Sequence, residues 1–209
     1  IDALSQVTDA SGLTAVVGGG TMLRYSGDVA LLPTSLLQAA LLPVLMSHLA
    51  DDFTRRDIVT IRRTVVRALA WVSGLLVVIA LVLAALRSSL LRLIFLHGQM
   101  DAAGVERMAR ILPYHLVGLA PFGALLVLAR AHVATKNGGI MLSMGLMNAG
   151  SNVVFNVVLS RFLGLEGLAL ATSCVHLFVA VVFWFRFEAR LAALRAAGSA
   201  AEHPREEAA

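Results

Sequence analysis

Apolar and polar positions fall along this chain in long blocks, without the short periods of a soluble helix or strand. No Asp, Glu, Lys or Arg occurs in residues 29–50, 68–86, 111–129, 137–160 or 167–185. Each block is apolar nearly all round, whereas a helix resting on a soluble core keeps one polar face. Each is long enough to cross a hydrocarbon layer about 30 Å thick, which takes roughly 20 helical residues. The pattern predicts an all-α, polytopic transmembrane bundle with spans near 20–50, 65–87, 108–133, 138–160 and 166–187. Residues 1–17 (IDALSQVTDASGLTAVV) read as the end of a further helix and lack the basic start and continuous apolar stretch of a signal peptide. The expectation is a C-terminal piece of a longer protein.

Polar punctuation divides the blocks. His97, Gly98, Gln99, Met100 and Asp101 read as a turn, with Asp101 capping the next helix. Lys136, Asn137, Gly138 and Gly139 read as a tight turn, and Gly164 to Gly167 as a second short one. The segment SSLLRLIFL, with Arg87 before it and Arg92 within it, reads as an interfacial continuation of the second span. The tail over 196–209, AAGSAAEHPREEAA, is small, polar and charged, and is expected to be disordered.

Composition strengthens the membrane assignment. The chain is 58% hydrophobic and only 14% charged, with a mean hydropathy of +0.82. A soluble domain of this length does not have that balance. Its basic character comes from sixteen arginines against one lysine. These flank the apolar blocks and form no basic patch interleaved with aromatics, so a nucleic-acid-binding role is not supported. Counted over alternate sides of five antiparallel spans, they favour one side. Residues 51–67, 130–136 and the tail after 186 carry more of them than the other connections do. Positive charge favours the cytoplasm, so this side is expected to be cytoplasmic. Cys174 is the sole cysteine and lies within a span, which excludes an internal disulfide framework.

Polar groups inside the spans are the candidate chemistry. Arg24 and Asp28 stand four residues apart at the mouth of the first span. They can pair along one helix face. Alternatively, Arg24 faces a cavity and contacts an anionic substrate, since its guanidinium offers a rigid two-pronged fork to phosphate. Asn148, Asn152 and Asn156 recur every four positions on the fourth span, with Ser151 beside them. At 100° per residue they form one stripe. It serves either as a source of interhelical hydrogen bonds or as the wall of an aqueous cavity. Gly145 and Ala149 allow close helix approach there. His176 and Ser173 sit mid-span, where histidine is either a packing group or a proton relay. His115, next to Tyr114, reads as an interfacial anchor. Pro33, Pro43, Pro113 and Pro121 are candidate kinks.

No catalytic constellation is visible. HExxH, a nucleophile elbow, a phosphate-cradling glycine loop and a carboxylate pair within a span are all missing, as are metal ligands at useful spacing. No cofactor is expected, and the chain does not read as an enzyme.

The order of features resembles the C-terminal part of the MurJ (MviN) family of lipid II flippases, within the wider multidrug/oligosaccharidyl-lipid/polysaccharide exporter superfamily. The resemblance spans roughly residues 13–188. That family shows an arginine, an apolar helix, then Leu-Leu-Pro and a basic loop; here these are Arg24, Leu41-Leu42-Pro43 and the Arg55–Arg67 segment. Its LLF-x-x-G-x-F-T turn is similar to residues 93–101, its R-A-F-Y-A-x-G-D to residues 130–137, and its LNVVLN to residues 151–156. Its LGxxGLALATS matches residues 163–173.

The resemblance implies one lobe of an alternating-access flippase in a bacterial inner membrane, its tail cytoplasmic. The cargo would be a polyprenyl-diphosphate-linked glycan, lipid II first, moved to the outer leaflet for peptidoglycan synthesis. Arg24 would contact the diphosphate, Asp28 would orient it, and the Asn148–Asn152–Asn156 stripe with Ser151 would line or brace the cavity. The partners would be that lipid, the bilayer and an upstream N-terminal lobe of the same protein. Two alternatives share these features: an exporter of another glycan lipid or a drug, and a non-transporting scaffold of cell-wall assembly.

Overall fold

The computed structural model describes residues 19–54, 57–96 and 101–206. The expected helix end at 1–17, Arg55 and Arg56, and the His97–Met100 part of the first turn lie outside the described residues. Five helices follow in order: α1 (Gly19–Thr54), α2 (Ile58–Phe95), α3 (Ala102–Leu116), α4 (Leu119–Ala134) and α5 (Ile140–Glu206). The described residues form a helical membrane bundle, in which α2, α5 and two bent helix pairs are long and apolar enough to cross a bilayer.

Helix α5 is a hairpin. Gly164 has φ 60° and ψ −128°, a conformation that breaks the helix and that glycine reaches without a Cβ clash. The rings of Phe155 and Phe178 lie 6.4 Å apart, although on a straight helix these residues would stand about 35 Å apart. The chain therefore doubles back, giving a first limb (140–163) and a second limb (165–206). The expected four-residue turn shrinks to Gly164. Gly167 is helical and buried, and a Cβ there would come within 2.1 Å of the Leu159 carbonyl oxygen, so glycine is what lets the limbs cross.

Contacts between elements fix the directions. Tyr25 stacks on Phe95 at 5.5 Å, and the Lys136 ammonium lies 6.0 Å from the Phe53 ring centre, so α1 runs alongside α3 and α4 in the same sense. Arg92 approaches Glu106 at 3.8 Å and Arg62 pairs with Glu188 at 2.8 Å, so α2 runs the opposite way. One end of the bundle thus carries Arg24, Phe95, Asp101 and Gly164. The other carries Phe53, Arg62, Lys136 and Glu188. These are the Gly164 end and the Lys136 end.

Local chemistry sets the boundaries. Asp57 caps α2, accepting from the Thr60 N–H at 2.9 Å and the Thr60 hydroxyl at 2.5 Å. Those bonds stabilise the carboxylate and hold its pKa below the ordinary value. Asp101 caps α3 as expected, accepting from the Gly104 N–H at 2.8 Å. Lys136, not a glycine, takes the positive φ (53°) in the tight turn before α5.

Two expected boundaries differ. The span over 108–133 is two helices bent by 43°, because Pro121 has no N–H to give the Val117 carbonyl and the ladder stops there. The helix also continues through Glu206, past residue 196 where composition suggests disorder. Ala196, Ala197, Ala200 and Ala201 supply the strongest helix-forming residue.

The core lies among α3, α4, the second limb and the inner faces of α1 and α2. Leu49, Val65, Leu76, Leu91, Met108, Leu112, Val127, Val179 and Phe187 are fully buried in it.

Candidate functional site

Helix α1 has two unlike faces. Ser26, Val29, Ala30 and Thr34 are buried against the bundle. The hydroxyls of Ser26 and Thr34 donate back to Leu23 and Leu31 carbonyls at 3.0 and 2.6 Å, so burial leaves them satisfied. The opposite face carries Arg24, Asp28, Ser35 and Gln38 in line with Leu31, all exposed. Arg24 and Asp28 sit 4.0 Å apart with side chains 82% and 67% exposed, a loose pair that leaves most donor and acceptor capacity free. Hydrocarbon would make such charges very costly. This face of α1 therefore belongs against water or another part of the protein. α1 is also bent by 44° between Gly19–Ala39 and Pro43–Asp51, as Pro43 cannot complete its helical hydrogen bond.

The asparagine stripe lies on a different element, the first limb of α5. Asn156 Nδ2 donates to Asn152 Oδ1 at 2.6 Å, and Ser151 Oγ donates to the Met147 carbonyl at 2.6 Å and the Asn148 carbonyl at 3.3 Å. Asn148 is exposed; Ser151, Asn152 and Asn156 are half-buried. Among the described residues all these bonds stay within the limb. None bridges to another helix, and none joins the stripe to Arg24 or Asp28. Gly145, expected to admit a close neighbour, has nothing within 4 Å of where its Cβ would be.

Other polar side chains do link helices, and single-residue reasoning passed over most of them. At the α3–α4 break the Gly118 N–H bonds to the His115 carbonyl at 3.0 Å, which leaves the Tyr114 carbonyl without its helical donor. Ser173 Oγ fills that vacancy from the second limb at 2.6 Å. Gly118 makes this approach possible, since a Cβ there would be 2.7 Å from Ser173 Cα. At the Lys136 end, His132 Nε2 lies 3.2 Å from the Phe183 carbonyl and Nδ1 lies 3.3 Å from Asn137 Nδ2. A carbonyl only accepts, so Nε2 carries the hydrogen and Nδ1 accepts from the amide. Arg190 donates to the Thr135 carbonyl at 3.0 Å, a cation at the C-terminus of α4 where the helix dipole favours one.

One histidine departs from its expected place, and a second takes one of the two readings open to it. His115 is not an interfacial anchor. Its ring packs beside Gly27, one residue from Asp28, with Cε1 3.5 Å from where a Gly27 Cβ would be. Among the described residues its buried Nε2 has no hydrogen-bond partner. His176 stacks at 4.6 Å on Phe122, in a packing arrangement. Among the described residues no group of three His, Cys, Asp or Glu side chains is placed to hold a metal.

Comparison with known proteins gives matches in sequence and in structure. A family model described as lipid II flippase MurJ matches residues 4–203. The fold is similar to a structure described as "Lipid II flippase MurJ, inward closed conformation", with TM-score 0.68 and 19% identity over 85% of this chain. The similarity covers 38% of that protein, so the present chain spans well under half its length. A search of curated proteins finds no match.

Proposed function

This chain belongs to the MurJ lipid II flippase family, and on that premise we propose that it is one lobe of a transporter that moves lipid II from the inner to the outer leaflet of a bacterial inner membrane. The observation that carries the reading is the exposed Arg24–Asp28 face of α1. A charged pair on a membrane-length helix suits the wall of a water-filled cavity and does not suit a lipid contact. Arg24 supplies a rigid two-pronged fork that holds a diphosphate. Asp28, one turn further in, orients that fork when the site is empty and is displaced when phosphate arrives. The remaining part of the longer protein supplies the opposing lobe. The two rock about the cavity, and the headgroup crosses while the prenyl tail stays in lipid. Cargo binding shifts the two states only by the difference in its affinity for each.

The Lys136 end faces the cytoplasm in this reading. It gathers Arg62, Arg63, Lys136, Arg186, Arg190 and Arg195, as the excess of positive charge on the inner side favours. The asparagine stripe on the first limb is the second wall of the cavity, with Asn152 and Asn156 locked to each other and Asn148 outward.

Complementation tests the cargo. The complete reading frame is expressed in cells depleted of their lipid II flippase, beside an Arg24→Ala copy matched for membrane level. The expected result is growth with the parent and lysis with Arg24→Ala. Rescue by Arg24→Ala would remove the arginine from the binding site. A well-inserted parent that fails to rescue would remove lipid II as the cargo.

A further inference from the structure

A concavity lies at the Gly164 end, apart from Arg24 and from the asparagine stripe. It encloses about 320 Å3 between α2, α3 and the start of the second limb, lined by Arg87, Glu106, Arg110, Tyr114 and Glu166. That volume is at the lower end for ligand sites, of the size of a small polar group and not of a whole lipid.

The charges around it are poorly matched to one another. Arg110 and Glu166 make no ion pair or hydrogen bond among the described residues. Arg87 uses one N–H on the Ala84 carbonyl of its own helix at 2.9 Å. Among the described residues Glu106 has only Arg92, at a loose 3.8 Å. Two guanidinium groups and two carboxylates thus share one small cleft without neutralising each other at contact distance. Such a cleft suits a ligand that carries both signs. The arginines offer two-pronged donors to a phosphate. The carboxylates offer acceptors to a primary ammonium, which has three N–H groups to give.

We propose that this cleft binds the phosphoethanolamine headgroup of a zwitterionic phospholipid. The flanking surface favours the lipid over the free headgroup. Leu86 on α2 and Phe162 and Leu163 on the first limb, at the same level of the bundle, are 54%, 80% and 42% exposed. In a bilayer exposed apolar residues of this kind meet the upper acyl chains, and charged groups beside them reach the headgroups, so the cleft suits the boundary between the two. A purely anionic headgroup meets two carboxylates with no cation to offer them. A choline headgroup has a quaternary ammonium, which cannot donate a hydrogen bond to Glu106 or Glu166 and is recognised instead by aromatic cages. The proposal is independent of the cargo the protein moves.

The test reads bound lipid directly, without transport. Purified full-length protein is titrated in detergent with phosphatidylethanolamine, phosphatidylglycerol and phosphatidylcholine, and retained lipid is counted by native mass spectrometry. Phosphatidylethanolamine is expected to be held roughly tenfold more tightly than the other two, the worth of one charge-assisted hydrogen bond. Arg110→Ala and the isosteric Glu166→Gln each bring it down to the level of the others, while Arg107→Ala, outside the cleft, leaves it unchanged. Equal retention of phosphatidylglycerol would overturn the proposal, and so would parent-like retention in both cleft variants. Soluble glycerophosphoethanolamine competing as well as the lipid would also overturn it, by placing the ligand in solution.

Discussion

In α3 and α4, Val105, Met108, Ala109, Leu112, Leu116, Leu119, Leu125 and Leu128 are all 5% exposed or less. In the first limb of α5, Leu142, Leu146, Val153, Val154 and Phe162 are between 59% and 80% exposed. The residues named are of the same kind, and their hydropathy alone does not say which are buried. Lipid is as apolar as leucine, so no hydrophobic force decides which face of a membrane helix meets protein. Small and polar groups decide it. The α3–α4 pair has Gly118 against Ser173, Gly123 against Leu76 and His132 against Phe183. The first limb has Gly145 and Gly150, each with open space where a side chain would go.

The strongest test of this contrast exchanges glycine for bulk in both regions. At Gly118 the nearest atoms include Ser173 Cα, which is backbone and cannot swing aside. Gly118→Val therefore pushes the second limb off α3 and separates Ser173 from the Tyr114 carbonyl. Overpacking usually costs about 1–3 kcal/mol, and here a buried carbonyl loses its donor as well, so little folded protein is expected. Gly145→Val on the first limb meets nothing and is expected to melt within a degree or two of the parent. Size-exclusion profiles and thermal melts of the two purified variants check this. Equal tolerance at both positions would mean that the Gly118 contact does not hold the helices together.

Much of the fold was legible because charge-free length is a direct physical requirement of a bilayer. The helical class, the Asp101 cap and the Lys136 turn follow from residues read in place. The α3–α4 break was half legible: Pro121 was visible as a kink, but the consequence, a freed Tyr114 carbonyl taken by Ser173, depends on a residue 59 positions away. His115 was misplaced for the same reason, since nothing near it in sequence announces that Gly27 will make room for its ring. The charged pair Arg24 and Asp28 stood out because the two charges stand four residues apart at the mouth of an apolar block. Arg87, Glu106, Arg110 and Glu166 did not, because each lies at or beside the end of an expected span, where charge is ordinary, and only the fold gathers them.

A middle-sized effect separates the regions by truncation. Leu112 is fully buried in α3, and Leu146 is 67% exposed on the first limb. Leu112→Ala opens a cavity that the surrounding helices can only partly close. In soluble cores this change costs about 2–5 kcal/mol; in a bilayer the transfer part shrinks, leaving on the order of 1–2 kcal/mol of lost packing. Leu146→Ala removes atoms that lipid touched and lipid can refill, so it is expected to be neutral. Thermal unfolding in one detergent ranks the pair. A destabilised Leu146→Ala with a parent-like Leu112→Ala would invert the assignment of inside and outside.

The smallest expected difference lies at the helix starts. α3 begins with Asp101, whose carboxylate accepts the Gly104 N–H. The first limb begins at Ile140 on backbone bonds alone, Ile140 N–H to the Asn137 carbonyl at 3.3 Å and Met141 N–H to the Gly138 carbonyl at 3.0 Å. A side-chain cap satisfies a donor that the helix cannot, and replacing it by alanine typically costs about 1 kcal/mol. Asp101→Ala should therefore lower the melting temperature by a few degrees, and Asp101→Asn, which keeps an acceptor oxygen, should recover most of it. Asn137 has no such role, because its amide is turned back to His132. Asn137→Ala is expected to act through that histidine, loosening the α4 contact with Phe183 and leaving the first limb's start intact. Amide exchange resolves the two cases. Asp101→Ala should quicken exchange in the first turn of α3 alone, whereas Asn137→Ala should quicken it near residues 132–135 and spare 140–144. Faster exchange across 140–144 in Asn137→Ala would show that the first limb also depends on a side-chain cap, and the contrast between the two helix starts would be lost.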